Sequence, residues 1–176
     1  GNGTALESPI STSTSSYGIS TGTSMAAPNV AGSILLLQQY FNSLNNSFMK
    51  SSTLKGLVCH TADDDSVRIG PDPIYGWGLL NTKKAAETIL EANQGNAIIM
   101  EGTLNDNESF TTTISVSSDG PLSATLCWTD PPGDTQDGVL NSTIPALVND
   151  LDLVLIDPNG FNSYLAWRLP PSSPVS

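Results

Sequence analysis

Gly22-Thr23-Ser24-Met25-Ala26-Ala27-Pro28, followed at once by Asn29-Val30-Ala31-Gly32 and an apolar run, places a serine hydroxyl where a glycine turn meets a buried helix. The chemistry open to such a serine is nucleophilic attack on a carbonyl. A helix start leaves backbone N–H groups free, and the positive end of the helix dipole lies beneath them. Both favour an oxyanion forming beside Ser24. Gly22 is able to take positive φ and to let a substrate backbone come close. Pro28 is expected in the first helical turn, where its missing N–H breaks no intrahelical bond. Gly32, with no side chain, is expected to let the helix approach a neighbour closely. The competing reading is purely structural, with Ser24 as the N-cap of a core helix.

The elements that must hold this serine follow from periodicity and punctuation. Residues 1–21 are Ser/Thr-rich and read as a loop with at most one short strand. A helix is expected from about Ser24 to Asn42, with Val30, Ile34, Leu37, Phe41 and Leu44 at helical spacing. Leu35 and Leu36 widen the stripe, as in a helix buried on most sides. A second helix is expected over Ser52–Thr61, with Leu54, Leu57 and Val58 inward. An acidic loop, Asp63-Asp64-Asp65, comes next, and then the glycine turn Tyr75-Gly76-Trp77-Gly78. Asn81 is positioned to cap a third helix running to about Ala92. Beyond Gly95 the period changes to two: Ser109–Val116, Leu122–Trp128 and Leu151–Ile156 read as strands. Asp157-Pro158-Asn159-Gly160 turns the last of these back onto Tyr164–Trp167 as a hairpin.

The composition narrows the classes. With 176 residues, 38% of them hydrophobic and 13% charged, the chain is globular, of one ordinary domain or two small ones. A formal charge of −11 opposes nucleic acid and anionic membrane as partners. No apolar run is long enough to insert into a membrane. Cys59 and Cys127 make neither a disulfide framework nor a metal spacing, and read as buried small hydrophobes, with a bridge between them as the alternative. The sequons at Asn2, Asn45, Asn107 and Asn141 are about as many as a Ser/Thr-rich chain has by chance, so no glycan is inferred.

The Gly22–Gly32 run resembles the nucleophile motif of the subtilisin-like serine proteases, the subtilases. The unit Tyr75-Gly76-Trp77-Gly78-Leu79-Leu80-Asn81 resembles the way that family closes its catalytic domain. The other serine signature, the elbow of α/β-hydrolases, wants glycine two residues after the serine, where Ala26 stands. Leu126-Cys127-Trp128-Thr129-Asp130-Pro131-Pro132 and Leu147-Val148-Asn149-Asp150-Leu151-Asp152-Leu153 resemble the C-terminal β-sandwich of a branch of alkaline subtilases. The resemblance thus implies an α/β fold, the partial subtilisin-like domain of residues 1–94, followed by a partial all-β sandwich or jelly-roll-like domain over 95–176. It also implies a piece of a longer, secreted protein, with sequence missing at both ends.

The activity that the resemblance implies is peptide-bond hydrolysis through an acyl-enzyme on Ser24, with a polypeptide substrate and no required cofactor. The Asp and His of the triad and the oxyanion Asn are then expected upstream, in the remainder of the catalytic domain, and this chain alone is expected to be inactive. His60, the lone histidine, falls at a structural position of the family rather than the catalytic one. Asn2 stands too near Ser24 to be the oxyanion asparagine and reads as a surface turn. Met25 packs beside the serine in the family and is equally readable as core. Calcium as a structural ion stays open at Asp150 and Asp152 with Asp130 near, although Trp167 and Arg168 stand where related sandwiches have an acidic position. The Asp63 run, Asp134 and Asp137 read as solvated charge, and Trp128 and Trp167 as core. Two alternatives are a non-catalytic peptide-binding pseudoprotease and a β-sandwich acting as a stabilising or binding module.

Overall fold

A computed structural model describes residues 2–65, 67, 69–116, 120–140, 142 and 144–167. The described elements are β1 (Leu6–Pro9), β2 (Tyr17–Ser20), α1 (Thr23–Asn45), α2 (Ser51–His60), α3 (Thr82–Gln94), β3 (Val154–Ile156) and β4 (Ser163–Leu165). Each strand pair is an antiparallel hairpin, with Leu6 opposite Ser20 in one and Val154 opposite Leu165 in the other. The first hairpin corrects the expectation of a loop before Ser24. Its turn lies in the Ser/Thr-rich stretch, and Ile10 N donates to Ser16 O at 3.0 Å to close it.

The three helices form where the apolar spacing puts them. Leu37, Met49, Leu57, Ala85 and Ile89 make the buried core, with Tyr40, Phe41, Leu44, Leu54 and Ile99 packed around it. Gln38 fixes the α1–α2 connection by gripping one residue twice. Its Nε2 donates to Met49 O at 2.9 Å, and its Oε1 accepts from Met49 N at 3.0 Å. Asn46 ends α1 in the left-handed region at φ 53°, and Gly95 ends α3 there at φ 83°.

Two caps arise differently. Asn81 caps α3 from within, its side-chain oxygen accepting from Lys84 N at 2.9 Å. The N-cap of α2, Lys50, has no side chain suited to the role. Glu101 supplies the acceptor from far along the chain, taking Lys50 N at 2.8 Å and Thr53 Oγ1 at 2.5 Å.

The acidic loop is exposed at Asp63 and Asp64, and its carboxylates also hold the loop together. Asp63 pairs its backbone with Leu79 in both directions, and both its carboxylate oxygens accept from Asn81 Nδ2 at 3.0 Å. Asp64 accepts from Gly70 N at 2.6 Å, Asp65 from Val67 N at 2.9 Å, and Asp72 from Ile74 N and Tyr75 N at 2.6 and 2.9 Å. The carboxylates of Asp64, Asp65 and Asp72 thus satisfy loop amides that no strand or helix would satisfy. Gly78 closes the loop at φ +107°, and a side chain there would run into the backbone of Asp63.

Three expectations about burial fail. Leu35 and Leu36 are 69% and 62% exposed, because α1 packs against α3 on one side only. A side chain at Gly32 would meet open space. Trp167 is 63% exposed. The stretches 109–116 and 122–128 pair with no strand among the described residues; an extended segment needs a neighbouring backbone, and propensity alone does not supply one. The chain leaves 13841 Å² of surface accessible, against roughly 8,000 Å² for a compact monomer of its mass.

Candidate functional site

Ser24 is the second residue of α1 and is exposed. Gly22, its N-cap, carries extended backbone at φ 161°. Its carbonyl accepts from both Met25 N (3.1 Å) and Ala26 N (3.2 Å), which starts the helix. The amides of Thr23 and Ser24 have no hydrogen-bond partner among the described residues. With no acidic side chain in the first turn, the positive end of α1 is uncompensated. The serine hydroxyl therefore stands beside two unused donors and a positive potential.

Pro28 lies beyond the first turn, as the sixth residue of a helix that begins at Thr23. The N–H it lacks is the one that would reach the Ser24 carbonyl. The proline thus removes a helical bond from the serine itself, contrary to the reading of Pro28 as harmless.

The turn before Ser24 rests on residues 2–5. Gly22 N donates to Gly3 O at 2.8 Å, and Ala5 N donates to Thr21 Oγ1 at 3.0 Å. The first β-carbon of any side chain at Gly3 would sit 2.5 Å from Gly22 O and 2.9 Å from Ala26 Cβ. Gly3 is what lets the chain lie flat against the serine turn, and no spacing rule pointed to it. Asn2 accepts from Thr4 N at 3.1 Å with its side-chain oxygen, a local turn contact. Met25 is half-buried, with Sδ 3.8 Å from where a Gly22 side chain would begin.

His60 ends α2, and its Nδ1 lies 2.9 Å from Thr125 Oγ1. Burial and the nearby Lys84 charge hold its pKa below the usual imidazole value. Ser24 Oγ has no hydrogen-bond partner among the described residues. Asp130 does not join Asp150 and Asp152 in a cation-binding group among the described residues. Its carboxylate accepts from Val148 N at 2.7 Å, Asn149 N at 3.0 Å and Asn149 Nδ2 at 2.8 Å. Burial pushes its pKa up, but these donors together overcome that and hold it low. Trp128 is half-buried and joins the same crossing, Nε1 donating to Asn149 O at 3.1 Å. The two motif stretches noticed in the sequence thus meet in one polar clamp. The acidic trio that does gather, Asp64, Asp65 and Asp72, holds the loop amides described above.

Ser24 thus stands at a bare helix start braced by a hairpin, with no base bonded to its hydroxyl among the described residues. Residues 2–78 match the model of the subtilase family. Over 69 residues the chain is 38% identical to an extracellular serine protease of Serratia marcescens, which covers 39% of this chain and 6% of that protein. Over 64 residues it is 35% identical to serotype-specific antigen 1 of Mannheimia haemolytica, covering 36% and 6%. The chain therefore corresponds to a small part of the curated relatives it matches. No solved structure matches it. The chain carries a subtilase-like fragment, related to serine proteases. No helix of the described residues is long and apolar enough to cross a membrane.

Proposed function

We propose that this chain is part of a secreted serine endopeptidase in which Ser24 attacks a substrate peptide carbonyl. The observation that carries the reading is the exposed Ser24 hydroxyl beside the unbonded Thr23 and Ser24 amides, inside the segment that matches the subtilase family. The Ser24 amide is one oxyanion donor. An acyl-enzyme on Ser24 forms as the leaving amine takes a proton, and water hydrolyses it. The base, its aspartate and the asparagine donor come from outside residues 1–176, since His60 is engaged with Thr125. The uncovered Leu35, Leu36 and Gly32 face of α1 supports a catalytic domain completed by further polypeptide. The relatives' names, an extracellular protease and a serotype antigen, support secretion.

The test is fluorophosphonate labelling of the full-length protein and of Ser24→Ala. Labelling that the substitution abolishes supports the reading, and labelling that survives it ends the reading. A folded full-length protein that binds peptide without being labelled is the pseudoprotease outcome. Residues 1–176 alone are expected to be unlabelled, because loss of the base in subtilisin costs about 10⁶ in turnover.

A further inference from the structure

Residues 125–127 lie along α2. His60 Nδ1 and Thr125 Oγ1 are 2.9 Å apart, and Cys127 Cβ lies 3.1 Å from where a side chain at Gly56 would begin. Alternate residues turned to one side are the pattern of an extended chain, which advances about 6.6 Å over two residues. The rise along a helix from Gly56 to His60 is about 6 Å. The two pairings therefore match in length and run antiparallel. Cys59 shares this face of α2, three residues after Gly56. Both cysteines are half-buried free thiols, and the pKa of Cys59 is raised by burial and by the proximity of Cys127.

We propose that Cys59 and Cys127 form a disulfide that fastens residues 125–127 to α2. A bridge needs Cβ atoms about 3.5–4.5 Å apart. Cys127 already touches α2 one helical turn from Cys59, so a side-chain rotation with a small slide of the segment closes the gap. The bond has a structural use, since no strand ladder holds 122–128 among the described residues. The oxidant is a small disulfide such as oxidised glutathione. One protein thiolate attacks it, forming a mixed disulfide and releasing one small thiol. The second protein thiolate attacks the protein sulfur of that mixed disulfide and releases the other. The two cysteines lose two protons and two electrons, which leave on the two small thiols. The proposal is independent of catalysis at Ser24.

The experiment incubates the full-length protein with oxidised glutathione, denatures it, alkylates free thiols and maps the peptides. The expected result is a peptide linked through Cys59 and Cys127, alkylation of both reduced by more than about tenfold, and a melting midpoint several degrees above that of the reduced protein. Cys59→Ser and Cys127→Ser each remove the linked peptide. The reduced and oxidised wild-type protein are compared directly, so a variant that fails to fold leaves the answer intact. Wild-type protein whose two cysteines stay alkylatable overturns the proposal. So does protein in which they are joined only to glutathione or to a second copy.

Discussion

Gly3→Ala tests whether the serine turn is held in place from below. The added methyl would begin 2.5 Å from Gly22 O, about 0.9 Å inside an ordinary contact, with Ala26 Cβ at 2.9 Å and Ala26 N at 3.1 Å on its other side. Neither neighbour is the end of a flexible side chain, so backbone must give. Gly22 O is also the acceptor for Met25 and Ala26 N–H, so its retreat drags the start of α1 and Ser24 with it. Overpacking of this kind costs about 1–3 kcal/mol of stability. A displacement near 1 Å of a reacting group costs on the order of 10² in rate. In the full-length protein, the second-order rate of fluorophosphonate labelling at Ser24 should therefore fall by about two orders of magnitude while circular dichroism stays native. A folded variant labelled within about threefold of wild type, less than 1 kcal/mol of barrier, would refute the reasoning.

Glu101→Gln should loosen the start of α2 and lower stability by about 1 kcal/mol, read by thermal melts at neutral pH. The Thr53 hydroxyl lowers the Glu101 pKa most; slight burial opposes it, and the Lys50 amide and charge lower it further. A lowered carboxyl pKa stabilises above the unfolded value and ceases to do so as pH falls through the folded one. The difference between wild type and variant should thus be full at neutral pH and be lost progressively as pH falls below 4.5 through the lowered folded value. Asp130→Ala should release the clamp, and hydrogen exchange by mass spectrometry should show the Val148 and Asn149 amides losing protection while α1–α3 amides keep theirs.

Local rules in the sequence reached the elements whose partners are close in the chain. The apolar spacing gave α1, α2 and α3; Asn81 gave the α3 cap; Pro158-Asn159-Gly160 gave the β3–β4 hairpin. Ser24 at the helix start was legible because cap, glycine and proline are neighbours. What failed depended on distant partners. Nothing near Lys50 indicates that Glu101 caps α2. The acidic run gave no sign of its partners, because the Gly70 amide reaches Asp64, and Asn81 reaches Asp63, only through the folded loop. Leu35 and Leu36 carry the same apolar signal as Leu37, and only the position of α3 decides which is covered. Pro28 was misread as lying in the first turn, although even a helix beginning at Ser24 makes it the fifth residue, where a backbone N–H is needed. Strand-like spacing over 109–128 recorded a propensity, whereas pairing requires a second backbone.

The acceptor that closes the front of α2 is 51 residues from the amide it receives. During synthesis, α2 and then all of α3 leave the ribosome before Glu101 does. Until that side chain arrives, the leading turn of α2 is open to water. The front of α2 is consequently closed later than that of α3, whose cap, Asn81, adjoins it in the chain. A nascent chain from which α2 has emerged and Glu101 has not would present α2 with its Lys50 amide unreceived, a state that ends once one glutamate leaves the ribosome.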